Sequence, residues 1–453
     1  MRRFFFISIL LLAGCTRYLS VQPQGEVIPT TDEEFAAIMH TRIREMEGGE
    51  DEYVIGNMDV LIRLEGCADD LDANITVGKN LPSYAGEIIN KMQSVYRYSW
   101  EIVRDCNIVI ENIAGRESQT AKGALTAAYA MKAICYYNLL RTFCEAPSDP
   151  ERQLGLPVVD RFDITARPER ETLSYTAGYI ESLFDSALAQ GPQDGLWYFT
   201  EWIIKAYKAR LLFWMEDWSG AAALCKDIIE HSGLKLSTIA EFPDMIGQAS
   251  DRKGEVIVRS HINNSSELDW YFSAIKSYVK SRPASTSLVA LFDKTADVRY
   301  ACSLNSKRIA QKVPEMRLRL AEIYLMMAEC QAHLGQDGLA LDYLNELRAN
   351  RITGAADLTS ATLPPVRTGE RITEDALGNA LTPLMQAIFD ERRRELFLEG
   401  DRWFELKRNG CPQWWIISNG LKYTTKKYLY TAPIYKGDVD LNPNIKQNEG
   451  YVY

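Results

Sequence analysis

The sequence predicts a mostly α-helical protein, built as a tetratricopeptide-like helical repeat scaffold with a large irregular, loop-rich insertion. Two pairs of small residues indicate the repeats, because Ala209 and Ala221, and further along Ala328 and Ala340, stand twelve positions apart around a turn. In a tetratricopeptide unit, small residues at this spacing let two antiparallel helices pack closely. Residues 233–312, between the two pairs, contain short strand-like runs in place of helical periodicity, so we expect the insertion there.

Further helices are expected on both sides of these pairs. Helical repeat units are predicted near residues 87–146, 200–231 and 314–350, where apolar residues recur with helical spacing. Ahead of the first unit, Thr31 and Glu34 form a capping box, which predicts a helix that runs to about residue 47.

The N-terminus has the pattern of a lipoprotein signal peptide, which we assign to residues 1–14. Two arginines follow the first residue, residues 4–12 form an apolar stretch too short to span a bilayer, and small residues precede Cys15. Cleavage would leave Cys15 as the first residue, with acyl chains that anchor the protein to a membrane. The mature chain, residues 15–453, is expected to form one domain.

The composition is that of an acidic globular body. Of 453 residues, 46% are hydrophobic and 25% are charged, and the formal net charge is −10. Loss of Arg2 and Arg3 with the signal peptide takes this charge to −12, because residues 1–14 hold no other charge. The acidic balance argues against nucleic acid as a partner, since phosphate binding requires a basic surface.

A polar, irregular stretch follows the first predicted helix and contains several acidic residues. Asp70, Asp72 and Asn74 have the spacing that begins a calcium-binding loop. Ile75 stands where such a loop needs glycine, and Leu81 stands where it needs a bidentate glutamate. We therefore predict a polar loop here and no metal site.

The chain lacks the common catalytic motifs. Its four histidines are scattered, and no HExxH, GxSxG or P-loop string occurs. We therefore predict a protein that is not an enzyme and that uses no cofactor. The eight cysteines other than Cys15 show no CxxC spacing and mostly lie in apolar helical patterns, which favours free buried thiols.

The segment 384–408 is predicted to be one helix, because apolar residues recur in it with helical spacing, and it also has a high density of Arg and Glu. Two charged residues, Arg392 and Glu399, fall on the apolar stripe itself. Burying an unpaired ion costs several kcal/mol, so each of them needs a fixed partner. This favours a structural clasp over a catalytic site, and Gly400 allows a bend or a close approach by another part of the chain.

The strings along the chain resemble the SusD/RagB family. ERRRELFLEGDRWFELKR (391–408) is similar to the family's C-terminal hallmark, VPEMRLRLAEIYLMMAECQAHLG (313–335) to the helix before it, and APIYKGDVDLNPNIKQNEGY (432–451) to its last segment. Upstream, RDCNIVIEN, AYAMKAICYYNLLRTF and DWSGAAALCKDII fit the same order. Several weak motifs in one order are more specific than any one of them.

The resemblance implies an outer-membrane lipoprotein that binds a nutrient. Its expected ligand is an oligosaccharide or a peptide, and its expected partner is a SusC-like TonB-dependent transporter. We expect it to be lipid-anchored at the cell surface. Residues 16–20 lack the acidic residues that often follow the lipidated cysteine in surface-displayed relatives, which leaves the face of the membrane open. The alternative is a tetratricopeptide-type protein–protein interaction module of the cell envelope.

The same resemblance implies that the ligand binds on loops between the repeat half and the irregular half, here residues 69–84 and 263–278. Three large aromatic residues in a row, 270–272, cannot all face one core, so at least one is expected at the surface. Sugars bind exposed aromatic rings flanked by polar groups. The predicted ligand-binding residues are Trp270 and Tyr271 as the platform, and Asp70, Asn74 and Asn263 as its polar rim.

Overall fold

The structure of the protein, a computed structural model, describes residues 28–48, 52–72, 84–191, 197–247, 254–259, 279–312, 314–418 and 420–452. Helices dominate it, as the sequence predicts. The described helices are α1 Asp32–Gly48, α2 Met58–Cys67, α3 Ala85–Asn90, α4 Gln93–Ile113, α5 Gln119–Phe143, α6 Leu173–Ala189, α7 Glu201–Trp214, α8 Trp218–His231, α9 Phe242–Gly247, α10 Thr286–Val289, α11 Val298–Ser303, α12 Leu320–His333, α13 Asp337–Ala349, α14 Pro383–Glu395, α15 Arg402–Arg408 and α16 Lys436–Leu441. The strands are β1 Leu154–Pro157, β2 Arg170–Thr172, β3 Val256–Arg259, β4 Arg317–Arg319, β5 Trp414–Ser418 and β6 Leu421–Thr425.

The capping box predicted at the start of α1 is present. The side-chain oxygen of Thr31 accepts the Glu34 N–H at 3.3 Å, and the Glu34 carboxylate accepts the N–H of Thr31 at 3.0 Å. These bonds satisfy backbone donors that the first turn of a helix leaves without an intrahelical partner.

The long helices pack in a continuous series. Each of α4 to α8 packs against the next, α8 packs against α12, and α12 packs against α13 and α14. Both predicted pairs of alanines lie in helix pairs of this series, and all four side chains are fully buried. The ring of His333 at the end of α12 stacks on Trp218 at the start of α8 with 4.1 Å between centroids. The two units are therefore neighbours in space although the insertion separates them in sequence.

The insertion returns to the scaffold through a short antiparallel sheet. Strand β3, which the run Glu255–Arg259 predicts, pairs with β4 immediately before α12. The register places Val256 opposite Arg319 and Arg259 opposite Arg317, and all four side chains are buried. Charged side chains from this sheet thus lie inside the protein and need partners there.

The prediction of one helix over residues 384–408 is wrong, because the segment is divided between α14 and α15. Leu398 (φ 61°) and Gly400 (φ 79°) adopt left-handed backbone, which a right-handed helix cannot contain. At Gly400 an added Cβ would lie 2.6 Å from the Met316 sulfur, so the site requires glycine on both grounds. The Gly400 N–H donates to the buried Glu65 carboxyl group at 2.9 Å.

Arg392 and Glu399 both have the fixed partners that their buried positions require. The Arg392 guanidinium forms two hydrogen bonds with the Asp401 carboxylate, at 2.8 and 2.5 Å. Glu399 accepts from Lys312 Nζ at 2.6 Å and from Arg319 at 2.9 and 3.1 Å. The prediction of a structural clasp agrees with these contacts.

Glu399 belongs to a larger set of buried charges, which we call the buried ion network. Arg319 donates to three carboxylates, Glu255 at 2.5 Å, Glu395 at 2.7 Å and Glu399 at 2.9 Å. Arg351 also bridges Glu255 and Glu395, at 2.8 and 3.0 Å. Burial would raise the pKa of Glu399, but Arg319 and Lys312 lower it to about 2. The network members are Glu255, Arg299, Lys312, Arg319, Arg351, Glu391, Glu395 and Glu399.

Removing Arg392 tests the structural role of the clasp. Arg392→Ala leaves the Asp401 carboxylate without its bidentate partner, so we expect the free energy of unfolding to fall by about 3 kcal/mol. Arg97→Ala is the matched control, because its pair with Glu101 is half-exposed and should contribute less than about 0.5 kcal/mol. Urea unfolding measures both. Equal losses in the two variants would contradict the structural role.

Glu65 provides a second test, of pH dependence. Burial, aided by the nearby Asp70 carboxylate, raises the pKa of Glu65 to about 8. The folded protein then keeps a proton that the unfolded chain loses, so this contribution to stability is present at low pH and is lost as the pH rises toward 8.

Glu65→Gln keeps an acceptor for Gly400 and removes the titration. We expect the variant to exceed the wild type in free energy of unfolding by more than about 1 kcal/mol near pH 8, and to differ little near pH 5. Urea unfolding at both pH values gives the difference. A difference that does not change with pH would show that Glu65 titrates normally.

Candidate functional site

The candidate site begins at two aspartates that follow α2. Arg393 Nε donates to Asp70 Oδ1 at 2.6 Å, and Arg402 Nε donates to Asp69 Oδ1 at 2.7 Å. Although burial alone would raise the pKa of Asp69, the guanidinium groups of Arg402 and Arg393 hold it below its usual range. The helices α14 and α15 therefore fix the chain at the point where the first predicted ligand-binding stretch starts.

The prediction that Asp70 belongs to the ligand-facing rim is wrong in this structure. Its side chain is only 1% exposed, and Arg393 occupies one carboxylate oxygen. The acidic spacing suggested an exposed loop, but a buried arginine far along the chain takes Asp70 into the interior. Asp70 supports the base of the loop and is not available to contact a ligand.

A short set of backbone contacts joins the two predicted ligand-binding stretches at this base. Leu71 and Ala284 form an antiparallel bridge. The N–H of Asp72 donates to the Pro283 carbonyl at 2.8 Å, and the N–H of Ser285 donates to the Asp70 carbonyl at 2.7 Å. Residues 69–72 begin the first stretch (69–84), and residue 279 directly follows the second (263–278). The structure therefore brings the start of the first stretch and the residues just after the second to a common base.

An apolar cluster lies beneath this joint. Leu71 packs in it with Val279 and Ala284, so the first stretch and the residues that follow the second contribute to one small core. Phe397 and Leu398, from the turn between α14 and α15, belong to the same cluster. The left-handed turn that divides the hallmark segment thus supports the base of the candidate site.

Most of the predicted binding residues lie outside the described residues. This applies to Asn74, Asn263, Trp270 and Tyr271, and also to the predicted lipidation site Cys15. Their assignment to the site stays a prediction. The described residues around them define where the two stretches start and end.

The last residue of the first stretch, Tyr84, contacts a β-hairpin. Tyr84 stacks on Tyr423 of β6, with 3.9 Å between ring centroids and 16° between planes. Strands β5 and β6 form a regular antiparallel pair that runs from Trp414 opposite Thr425 to Ser418 opposite Leu421. We did not predict this hairpin, although the sequence has Asn-Gly between two β-prone runs, which is a strong hairpin signal. The hairpin places Tyr84, and with it the end of the first stretch, beside β6.

A separate polar cleft of about 610 Å³ lies next to α15 and the C-terminal segment. Five carboxylates line it, and none of them forms a salt bridge with another described residue. Lys407 also lines it, but this ammonium donates to the Arg141 and Cys144 carbonyls at 2.8 and 2.5 Å and so caps the end of α5. The acidic lining residues are Glu145, Glu216, Glu374, Asp375 and Glu449.

The cleft has the volume of a small-molecule site, and its lining combines the five carboxylates with Lys407, Arg408 and Lys427, which favours a polar molecule. No sequence signal identifies it, because its lining comes from segments far apart in the chain. Among the described residues, no group of three or more His, Cys, Asp or Glu could hold a metal ion. The eight described cysteines are free thiols, and six of them are buried.

The described residues define a helical repeat protein in which residues 70–72 and 283–285 meet at one joint. Comparisons identify its class more closely, since the model of the SusD family matches residues 238–451. A SusD-like protein from Formosa agariphila is 18% identical over 446 residues, 78% of each chain. Residues 238–451 of the chain therefore belong to the SusD/RagB family.

Solved structures of SusD superfamily proteins have the same fold. One from Bacteroides thetaiotaomicron is 19% identical, with a TM-score of 0.68 over 92% of this chain and 99% of that chain. A SusD-like carbohydrate binding protein from Bacteroides vulgatus is 17% identical, with a TM-score of 0.67 over 92% of this chain and 98% of that one. In the described part of our chain, no helix is long and apolar enough to cross a membrane.

Proposed function

We propose that this protein is a lipid-anchored nutrient-binding protein of the outer membrane, which captures an oligosaccharide and delivers it to a SusC-like TonB-dependent transporter. The observation that carries the proposal is the joint between residues 70–72 and 283–285, from which the two predicted ligand-binding stretches extend. Family membership and the carbohydrate-binding relative from Bacteroides vulgatus support the nutrient class.

The residue types in the two predicted stretches favour an oligosaccharide over a peptide. Sugar rings present apolar faces that stack on aromatic side chains, and their hydroxyl groups need donors and acceptors at the edge. Trp270 and Tyr271 supply the aromatic faces in this proposal, and Asn74 and Asn263 supply the polar edge. A peptide ligand is the second outcome of the binding screen described below.

The ligand site is tested by a glycan and peptide binding screen on protein that starts after Cys15, repeated on the Trp270→Ala plus Tyr271→Ala variant. Loss of one stacking ring should cost about 1 to 3 kcal/mol, or roughly tenfold to a hundredfold in affinity. Tyr175→Ala is the matched control, because Tyr175 is an exposed aromatic residue on α6.

Undiminished binding by the double variant would refute the platform. A screen without a small ligand, in which the protein instead retains another envelope protein, would favour the interaction-module alternative. Isothermal titration calorimetry on the ligand found gives the affinities.

Membrane anchoring is tested at the proposed lipidation site. Cys15→Ala removes the acylated thiol, so the protein should move from the membrane pellet to the soluble envelope fraction. Cys302→Ala changes a free thiol elsewhere and should leave the protein in the pellet. Fractionation followed by immunoblotting measures both. A Cys15→Ala protein that stays in the pellet would contradict the lipid anchor.

A further inference from the structure

The β5–β6 hairpin exposes more apolar surface than its fold requires. The side chains of Trp415 and Ile417 are each 51% exposed, and that of Leu421 is 60% exposed. All three lie near the end of the hairpin where Ser418 is opposite Leu421. Large apolar residues that project together at a hairpin tip are typical of a contact surface.

These side chains project from both faces of the hairpin. Residues directly opposite each other on an antiparallel pair share a face, and successive residues alternate between faces. Ile417 is opposite Lys422, whereas Leu421 is opposite Ser418, so Ile417 and Leu421 lie on opposite faces. A partner with a flat surface would cover one of them. A fluid apolar phase that surrounds the tip would cover both.

The hairpin is also basic in an acidic protein. From Leu406 to Gly437 the chain contains no Asp or Glu, although its formal net charge is −10. Four lysines of this segment are exposed, and three of them, Lys422, Lys426 and Lys427, lie in β6 or directly after it. Lys422 Nζ lies 4.9 Å from the centre of the Trp415 ring, so its aliphatic stem runs along the indole. Exposed lysines beside Trp and aliphatic residues match the chemistry of an anionic lipid surface.

We propose that the tip of the β5–β6 hairpin inserts into the headgroup region of an anionic membrane. Ile417 and Leu421 enter the apolar boundary, Trp415 lies at the interface, and the three lysines contact lipid phosphates. The contact goes beyond nutrient binding and is separate from acylation of Cys15. Together with an acyl anchor it would fix the orientation of the protein on the membrane.

The test uses protein that starts after Cys15, so that neither the apolar signal peptide nor lipidation plays a part. Sedimentation with phosphatidylcholine vesicles is compared with sedimentation with vesicles of phosphatidylcholine and phosphatidylglycerol. We expect binding to the anionic vesicles, weaker binding at high salt, and at least a tenfold lower partition for Ile417→Ser plus Leu421→Ser. Leu334→Ser plus Leu339→Ser, which changes two exposed leucines at the turn between α12 and α13, should bind like the parent.

A charge variant, Lys422→Glu plus Lys426→Glu, keeps the apolar tip and should also lose binding to anionic vesicles. Circular dichroism and retained ligand affinity establish that each variant is folded, and they separate this test from the nutrient-binding test. Absence of vesicle binding, or equal binding by the tip variant, would overturn the proposal. So would a parent protein that is dimeric in sedimentation and becomes monomeric in the tip variant, because the tip would then join two copies of the chain.

Discussion

Paired charges in the interior are the constraint on which the rest of this structure depends. Arg319 and Arg351 both contact Glu255 from the insertion and Glu395 from α14. Loss of one partner would leave a buried charge, at a cost of about 3 to 5 kcal/mol, so these contacts tolerate little movement. The segments that carry them are far apart in sequence. The ion network therefore fixes the insertion against the helical repeats around Glu255.

Buried ion pairs also hold the base of the candidate ligand site. Arg393 on α14 and Arg402 on α15 hold Asp70 and Asp69, and these aspartates begin the first ligand-binding stretch. Leu71 then pairs with Ala284 and joins that stretch to the second one. Because the buried charges hold this base, sequence changes in residues 73–83 and 260–278 would leave the ion network intact.

Local signals in the sequence predicted much of the fold, and long-range contacts limited the rest. The Thr31–Glu34 box and the alanine pairs depend on neighbours within one helix or one turn, and the need of Arg392 for a partner follows from its place on an apolar stripe. By contrast, Asp70 is separated by 323 residues from the arginine that buries it, so its acidic surroundings suggested an exposed loop. The break at Leu398 could not be predicted either, because leucine gives no local sign of left-handed backbone.

The central claim is that the two predicted ligand-binding stretches, residues 69–84 and 263–278, form one ligand site. Hydrogen–deuterium exchange of the wild-type protein, with and without the ligand that the screen identifies, tests this claim most directly. We expect ligand to slow exchange in both stretches together, because one molecule contacts both. Slower exchange at residues 374–378 and 427–431 of the polar cleft, with no change in the two stretches, would contradict the claim and move the site to the cleft.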